Sequence, residues 1–437
     1  MTNNLTKVSN YDLIVVGTGF CGAIIARKLV DAGKRVLMLE RREHIAGNMY
    51  DEIANHEICV QRYGPHIFHT DDEDVYDFVS GFGEWFDFPV KYPVEVDGKI
   101  VPQPFNFQSI EMLFEDKAET IIEHLKKAYP TVDSVTVVEL LESEDIVCRE
   151  LAEALFEKDY RPYTSKQWGI PPEEIDPMVL KRVPIRLGYE DVHFPDKHQM
   201  LPVGGFSSLF KKLLEHDGID VLVGVDALDL FTVDTSEKSI RVKDGITKIV
   251  GRDLSGDISE VELDIDLIDI PLVFTGAIDE LLEYKYGMLP YRTLDIVYED
   301  DSAGLPAPIV AYPQADGFTR KTDYGKFTQS LAGDVCYGVR EQGAEGQEDS
   351  RLRGNGRTTV VATEYPLQYD EIARSRGLDP YYPIINDGNQ IAYNQYLEDL
   401  KGIDNLVLCG RLAEYTYYNM DQAVARALCV VEELLNE

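Results

Sequence analysis

The residues best equipped for chemistry in this 437-residue chain are arginines and tyrosines gathered into short runs. Tyr160-Arg161-Pro162-Tyr163-Thr164-Ser165-Lys166-Gln167-Trp168-Gly169 sets an aromatic platform beside hydroxyls and a cation, although core aromatics at a helix end would give the same run. Lys181-Arg182-Val183-Pro184-Ile185-Arg186 clusters three cations after a Pro-rich stretch. Tyr291-Arg292-Thr293, with Tyr382, Tyr417 and Tyr418, adds a further guanidinium and more phenols. A guanidinium supplies charge and a planar fork of donors, and phenols supply single directional donors. Together they suit a diphosphate. A fourth run, Tyr63-Gly64-Pro65-His66-Ile67-Phe68-His69-Thr70, places His66 and His69 around a Gly-Pro bend. Two histidines can begin a metal site, but no carboxylate or cysteine cluster completes one, so no metal is expected.

The elements that must position these groups start at the N-terminus. Tyr11-Asp-Leu-Ile-Val-Val16 reads as a strand. It feeds Gly17-x-Gly19-x-x-Gly22, then an amphipathic helix over 23–32, then a strand Arg35-Val-Leu-Met-Leu39 ending at Glu40. Gly17 allows the tight turn, Gly19 lets a pyrophosphate approach the backbone, and Gly22 lets the helix pack against the strand, with Cys21 in the same turn. The helix N-terminus presents free N–H groups to the phosphates, and Glu40 can take the ribose hydroxyls. This is a dinucleotide site. Beyond it, Glu40-Arg41-Arg42-Glu43-His44-Ile45-Ala46-Gly47-Asn48 adds a basic pair and a second glycine turn. A solvated loop would account for that stretch, but a flavin enzyme needs a second phosphate and ribityl contact here, which points to FAD. At the other end, Asn405-Leu-Val-Leu-Cys-Gly410-Arg411 reads as a buried strand. A helix follows from about Asp421, and its N-terminus near Met420-Asp421 can face the ribityl or pyrophosphate. The bend at His66 and His69 fits an imidazole laid against the flavin ring.

Composition narrows the partners. The chain has 42 basic and 78 acidic residues, a formal net charge of −36, which repels nucleic acid and anionic membranes. An anionic substrate then requires cations concentrated in its cleft. No stretch of about 18 apolar residues is present, and the polar first ten residues lack an apolar leader, so a cytoplasmic protein is expected. Six cysteines without a C-x-x-C pair read as free thiols. Helical periodicity runs from Ser109 to Lys158, and the Asp97-Gly98 pair marks a hairpin within Val90–Val101. Strand signals recur between Val203 and Leu272, at Leu294–Tyr298 and at Thr358–Ala362. Glu341–Arg357 reads as an exposed loop.

Taken in order, these motifs closely resemble those of the UDP-galactopyranose mutase family. The resemblance runs through the glycine fingerprint, Glu40-Arg41, Gly47-Asn48 and Tyr63–Thr70. It continues through Tyr163-Thr-x-Lys-Gln-Trp168, Leu180–Arg186, Tyr291–Leu294, Pro380–Ile384, Gly410-Arg-Leu412 and Tyr415-x-Tyr417-x-x-Met420-Asp421. It implies an α/β fold with a discontinuous Rossmann-like FAD domain (1–104, 195–260, 395–437). It also implies a helical domain (105–180) with a mobile loop over 169–182, for which a fixed connector is the alternative, and an antiparallel-sheet substrate domain (181–194, 261–394). The implied activity is a non-redox isomerisation between pyranose and furanose forms of a UDP-sugar. Reduced FAD N5 acts as nucleophile at the anomeric carbon, and NAD(P)H or another external reductant keeps the flavin reduced.

Residue by residue, the resemblance puts Arg182 and Arg292 on the diphosphate with Tyr382 and Tyr417 as donors. It puts Tyr163, Thr164 and Trp168 at the uridine and Glu364 near the sugar, while His66 and His69 border the flavin. Arg411, with Gly17, Gly19, Cys21, Gly22, Glu40, Arg41, Gly47, Asn48, Ile67, Tyr418, Met420 and Asp421, holds the FAD. The family's members are commonly homodimers. Asp87, Asp159, His193 and Asn419 depart from the family's usual residues near the base and sugar, and extra residues fall around 230–265 and 340–357. A mutase for another nucleotide-linked hexose or heptose therefore stays open. An amine-oxidase-type flavin oxidoreductase and a catalytically silent nucleotide-sugar binder are the more distant readings.

Overall fold

The computed structural model describes residues 6–171, 183–328, 338–339 and 358–436. The loop expected at Glu341–Arg357, and Arg182 with most of the expected mobile loop, lie outside them. Two eight-stranded sheets form the frame. The first runs in the order Thr6–Lys7, Ile258–Glu262, Lys248–Arg252, Ile219–Val223, Val36–Glu40, Leu13–Val16, Leu272–Phe274, Leu406–Leu408. Its last five strands are mutually parallel. The central strands are buried on both faces, which is why Leu13–Val16 and Val36–Leu39 are unbroken apolar runs. Helices Phe20–Asp31 and Met420–Asn436 pack together, burying Ala23, Ile24, Val424, Ala427 and Val431 in one core. This is the Rossmann-like α/β domain the fingerprint requires.

The second sheet runs Gly338–Val339, Lys99–Val101, Val94–Val96, Ile309–Ala311, Arg320–Asp323, Thr359–Tyr369, Tyr291–Asp301, Tyr382–Pro383. Tyr291–Asp301 and Thr359–Tyr369 pair antiparallel along all eleven residues of each. The register sets Arg320 opposite Glu364 and Arg292 opposite Tyr382. The hairpin expected at Asp97-Gly98 forms, with both residues at positive φ (52° and 74°) as a tight two-residue turn demands.

Helices Phe107–Phe114, Ala118–Ala128, Val137–Leu141 and Ile146–Leu155 occupy the stretch expected to be helical. Asn106, Thr136 and Asp145 cap three of their N-termini. The last helix passes through a π-turn at Phe156–Tyr160 directly into helix Arg161–Trp168.

Pairing corrects two expected boundaries. Leu272–Phe274, assigned to the substrate domain, lies between Leu13–Val16 and Leu406–Leu408 in the nucleotide sheet. The hairpin Val94–Val101, assigned to the nucleotide domain, belongs to the second sheet. Strand partners are non-local, so apolar runs of similar composition did not reveal which sheet each joins. The extra residues near 230–265 extend the structure at the nucleotide end. Phe231–Asp234 and Ser239–Val242 build a small sheet with Leu267–Ile268, and Lys248–Arg252 with Ile258–Glu262 add a hairpin to the first sheet.

The first βα turn depends on missing side chains. A Cβ at Gly22 would stand 2.0 Å from the Gly17 carbonyl oxygen, and one at Gly17 (φ 100°) would stand 2.1 Å from Thr275 Oγ1. Gly22→Val should push the helix off the strand. We expect purified protein with most of its flavin absorbance gone and a lower Tm, consistent with an overpacking cost of about 1–3 kcal/mol. Wild-type flavin content and Tm would show that the turn has room to spare.

Candidate functional site

The fingerprint opens into a cavity of about 220 Å³ lined by Gly17, Gly19, Cys21, Gly22, Glu40, Arg41, Gly47, Asn48, Tyr418 and Met420 among others. Ala46 and Gly47 both take positive φ, which brings the second glycine turn down onto the first. A Cβ at Gly47 would lie 3.0 Å from the Gly19 Cα. Gly19 caps helix Phe20–Asp31 without any side-chain hydrogen bond, leaving the helix N-terminus bare for an anion. Glu40 Oε2 accepts from Thr18 N (3.0 Å) and Thr18 Oγ1 (2.7 Å), and Oε1 accepts from Arg42 N (3.0 Å). The acid expected on the ribose thus also ties the glycine turn to the second strand.

Arg41 pairs with Glu280 (2.9 Å) and Asp379 (2.7 Å). Arg42 donates to Asn48 Oδ1 (2.9 Å) and to Asp379, and lies 4.2 Å over the Tyr63 ring. Cys21 Sγ reaches Ala423 O (3.6 Å) at the start of the C-terminal helix. Two bare glycine backbones, an uncapped helix and an acid closing the second strand fit a dinucleotide cofactor. Asp421, expected to hold it, does not line the cavity.

A larger cleft of about 1140 Å³ meets this cavity at His66, Arg411, Asn419 and Met420. Next to the junction Tyr382 and Tyr417 stack at 5.7 Å and 15°, and the Arg411 guanidinium lies 5.1 and 5.3 Å over the two rings. Trp168 closes the group, tilted 6.2 and 6.1 Å from them. Arg411 donates to the Tyr418 and Tyr381 carbonyls, so its contacts are neutral and its charge remains available to an anion. Burial pushes the Tyr382 hydroxyl above its ordinary range, keeping it a donor.

Arg320 also lines the cleft, with its Nε 2.7 Å from Glu364 Oε2. Burial alone would weaken its protonation, but Glu364 and the surrounding tyrosines hold it charged well above its usual value. Tyr163, whose hydroxyl is 3.3 Å from that of Tyr92, lies alongside with Thr164. His193 packs against Tyr92 at 4.8 Å. His69 stacks on Phe194 at 3.8 Å and lies 3.1 Å from Asp196. Burial, then Arg411 and Arg320, push the His66 imidazole down to about 3, so it is neutral at pH 7.

The structure therefore gathers His66, Ile67, His69, Tyr163, Thr164, Trp168, His193, Tyr382, Arg411, Tyr417, Asn419 and Met420 around one cleft. Three expectations need correcting. Asp87 is exposed on Trp85–Asp87, an outer strand of a three-stranded sheet whose middle strand, His198–Pro202, separates it from His69. Glu364 sits at 0% exposure beneath Arg320 and does not line the cleft. Arg292 donates from Nε to Gln167 O (2.8 Å) and from Nη2 to Lys166 O (2.9 Å), capping the C-terminal end of helix Arg161–Trp168. A Cβ at Gly169, which has φ 70°, would lie 2.4 Å from Arg292 Nη1.

Sequence reasoning missed Arg320, Tyr92, Gln103 and Asp196. Arg320 carried only a faint signal, a cation two residues from the buried Thr322 and on the same face of one short strand.

Comparisons with known proteins show the family and the fold. A UDP-galactopyranose mutase family model matches residues 158–417, and an NAD(P)-binding Rossmann-like domain model matches residues 15–82. The chain is 31% identical to the UDP-galactopyranose mutase of Mycoplasma pneumoniae, over 99% of this chain and 98% of that one. It is 30% identical to a dTDP-fucopyranose mutase of Escherichia coli, over 95% of this chain and 96% of that one. The crystal structure of a reduced UDP-galactopyranose mutase has the same fold, with a TM-score of 0.65 and 16% identity, covering 98% of this chain and 94% of that one.

Two outcomes follow from the buried charges. Glu364→Gln leaves Arg320 without its counter-charge and should destabilise the protein by about 3–5 kcal/mol, with Arg320→Met in the same chain recovering much of the loss in thermal melts. A neutral single mutant would remove the pair from the core's support. Separately, the His66 imidazole is depressed from 6.5 to about 3, so the unfolded chain binds this proton first as pH falls. The associated stability is complete above pH 6.5 and drains between pH 6.5 and 3. His66→Gln should flatten the stability–pH curve in that window.

Proposed function

The chain belongs to the UDP-galactopyranose mutase family, and from that premise we propose that it interconverts UDP-galactopyranose and UDP-galactofuranose on a reduced FAD, supplying a furanose donor for surface glycans. The observation that carries the proposal is the junction of the two cavities at His66, Arg411, Asn419 and Met420. A ligand anchored in the cleft meets the end of the cofactor there. FAD, once bound and reduced, supplies the nucleophile for the anomeric carbon.

The chain's residues then have three tasks. The first is to hold the diphosphate through the exchange of bonds at the sugar. Tyr382 and Tyr417 donate to its oxygens, and Arg320 and Arg411 supply charge inside an otherwise acidic protein. The family resemblance adds Arg182 to the residues that hold the diphosphate. Arg292 supports them from below by holding the helix end that carries Trp168.

The second task is to keep the reacting centre free of stray charge and water. His66 is neutral at working pH, and Trp168 with the stacked phenols lines the cleft beside the Arg411 junction. The third is to place the nucleoside, which falls to Tyr163 and Thr164 further along the same helix. Asp196 beside His69 fixes that ring against Phe194, where it borders the flavin.

The similarity to a dTDP-fucopyranose mutase makes the sugar nucleotide the point to test. Reduced holoenzyme should convert UDP-galactofuranose to the pyranose, run faster on it than on dTDP-fucofuranose, and fall silent when the flavin is oxidised. Preference for the dTDP-sugar would move the substrate while keeping the reaction, and turnover by oxidised protein would end the nucleophilic mechanism. Tyr382→Phe, which removes one donor to a charged group, should lower kcat/KM by about 10- to 100-fold. An unchanged value would take Tyr382 off the diphosphate.

A further inference from the structure

The cleft continues well past the diphosphate site. From Trp168, at the cofactor junction, helix Arg161–Trp168 and the π-turn before it lead back nine residues, or ~13 Å at helical rise, to Asp159. Asp159 lines the cleft at this end together with Gln103 and Tyr160. It is only 2% exposed, and Gln103 is 8% exposed. Gln103 Nε2 donates to Asp159 Oδ2 at 2.9 Å, and among the described residues Asp159 Oδ1 has no hydrogen-bond partner.

A carboxylate oxygen buried without a donor is costly, and in a cleft wall it marks a place where a ligand can supply one. The surrounding groups do not supply it. Lys166 is the cation that Asp159 feels, yet its Nζ donates to three carbonyls, those of Tyr312 (2.8 Å), Ala315 (2.7 Å) and Phe318 (2.8 Å). The Tyr160 hydroxyl donates to Val183 O at 2.8 Å. The π-turn is itself a local departure that turns residues out of α-helical register, and such turns are frequent at functional positions.

We propose that Asp159, held by Gln103, reads the nucleobase: its free Oδ1 accepts the ring N3–H of a uracil or thymine lodged at this end of the cleft. This rests on the mutase reading above, since a sugar that must reach the cofactor puts the base at the opposite end. Gln103 fixes which way the carboxylate faces by occupying the other oxygen. Burial raises the Asp159 carboxyl to about 7, so at pH 8 it is ionised and its bond to the base is charge-assisted.

The experiment is titration calorimetry at pH 8 on the flavin-loaded protein, with UDP and with 3-methyluridine diphosphate, which lacks the N3 hydrogen. Wild type should bind UDP about 10- to 100-fold more tightly than the methylated ligand. In Asp159→Ala that ratio should fall to within a few-fold. Should the alanine variant not fold, Asp159→Asn keeps the shape while losing the charge, and its ratio should drop below about tenfold. A ratio equal in wild type and variant, or near one in wild type, overturns the assignment of Asp159 and leaves the mutase reading standing. Wild-type holoenzyme that binds neither ligand overturns the nucleotide-sugar reading on which it rests.

Discussion

The structure depends on how closely backbone approaches backbone around the first glycine turn. Gly22 lets the helix Phe20–Asp31 come down on the Gly17 carbonyl, and Gly47 lets a second turn close over Gly19. Each contact is available only because a Cβ is missing. The consequence is an uncapped helix N-terminus facing a narrow cavity, with Glu40 bracing the turn through Thr18. Leu272–Phe274 sharpens the constraint from the other side, because it brings Thr275 against Gly17. The cofactor cavity is therefore a property of three strands at once, and its mouth determines where the cleft begins.

From that mouth the acidic chain solves a problem that its net charge of −36 creates. Long-range repulsion disfavours any phosphate-bearing ligand, so attraction has to be local. Arg320 and Arg411, two cations in the cleft wall, are held in different ways. Arg320 is half-buried and kept charged by Glu364, which also fixes its position and dilutes its net charge. Arg411 leans on carbonyls and two phenol rings, which hold its geometry without cancelling its charge. One arginine with a counter-ion and one with neutral partners thus stand in the wall of the same cleft.

The helix Arg161–Trp168 organises the rest. Its C-terminal end is held by Arg292 and carries Trp168 to the cofactor junction, while Tyr163 and Thr164 line the middle of the cleft. The π-turn behind it delivers Asp159 to the far end. One continuous element thus lines the cleft from Trp168, next to the junction of the two cavities, back to Asp159. Gly169 ends the helix at positive φ because it has no Cβ, and a side chain there would also strike the Arg292 guanidinium.

Much of this was legible in the residues alone. The strand–turn–helix–strand register through Glu40, the hairpin at Asp97-Gly98, the helical stretch after Ser109 and the closing Gly410-Arg411 strand and helix depend on local spacing, and local spacing is what a sequence carries. So were the residues His66, Tyr163, Trp168, Tyr382 and Tyr417, because aromatic and cationic runs stand out in any chain. Pairing was not legible. Nothing local separates a strand destined for one sheet from a similar run destined for the other, so Leu272–Phe274 and Val94–Val101 were assigned to the wrong domains. Arg292, set against the helix end, and Glu364, set beneath Arg320, owe their places to the register of long antiparallel strands, and Asp87 was removed from the cleft by one intervening strand. The sequence determined which chemistry the chain contains and where its first phosphate cradle lies. Only the tertiary structure decided which charges face the ligand and which face each other, because that choice is made by contacts between segments far apart in the chain.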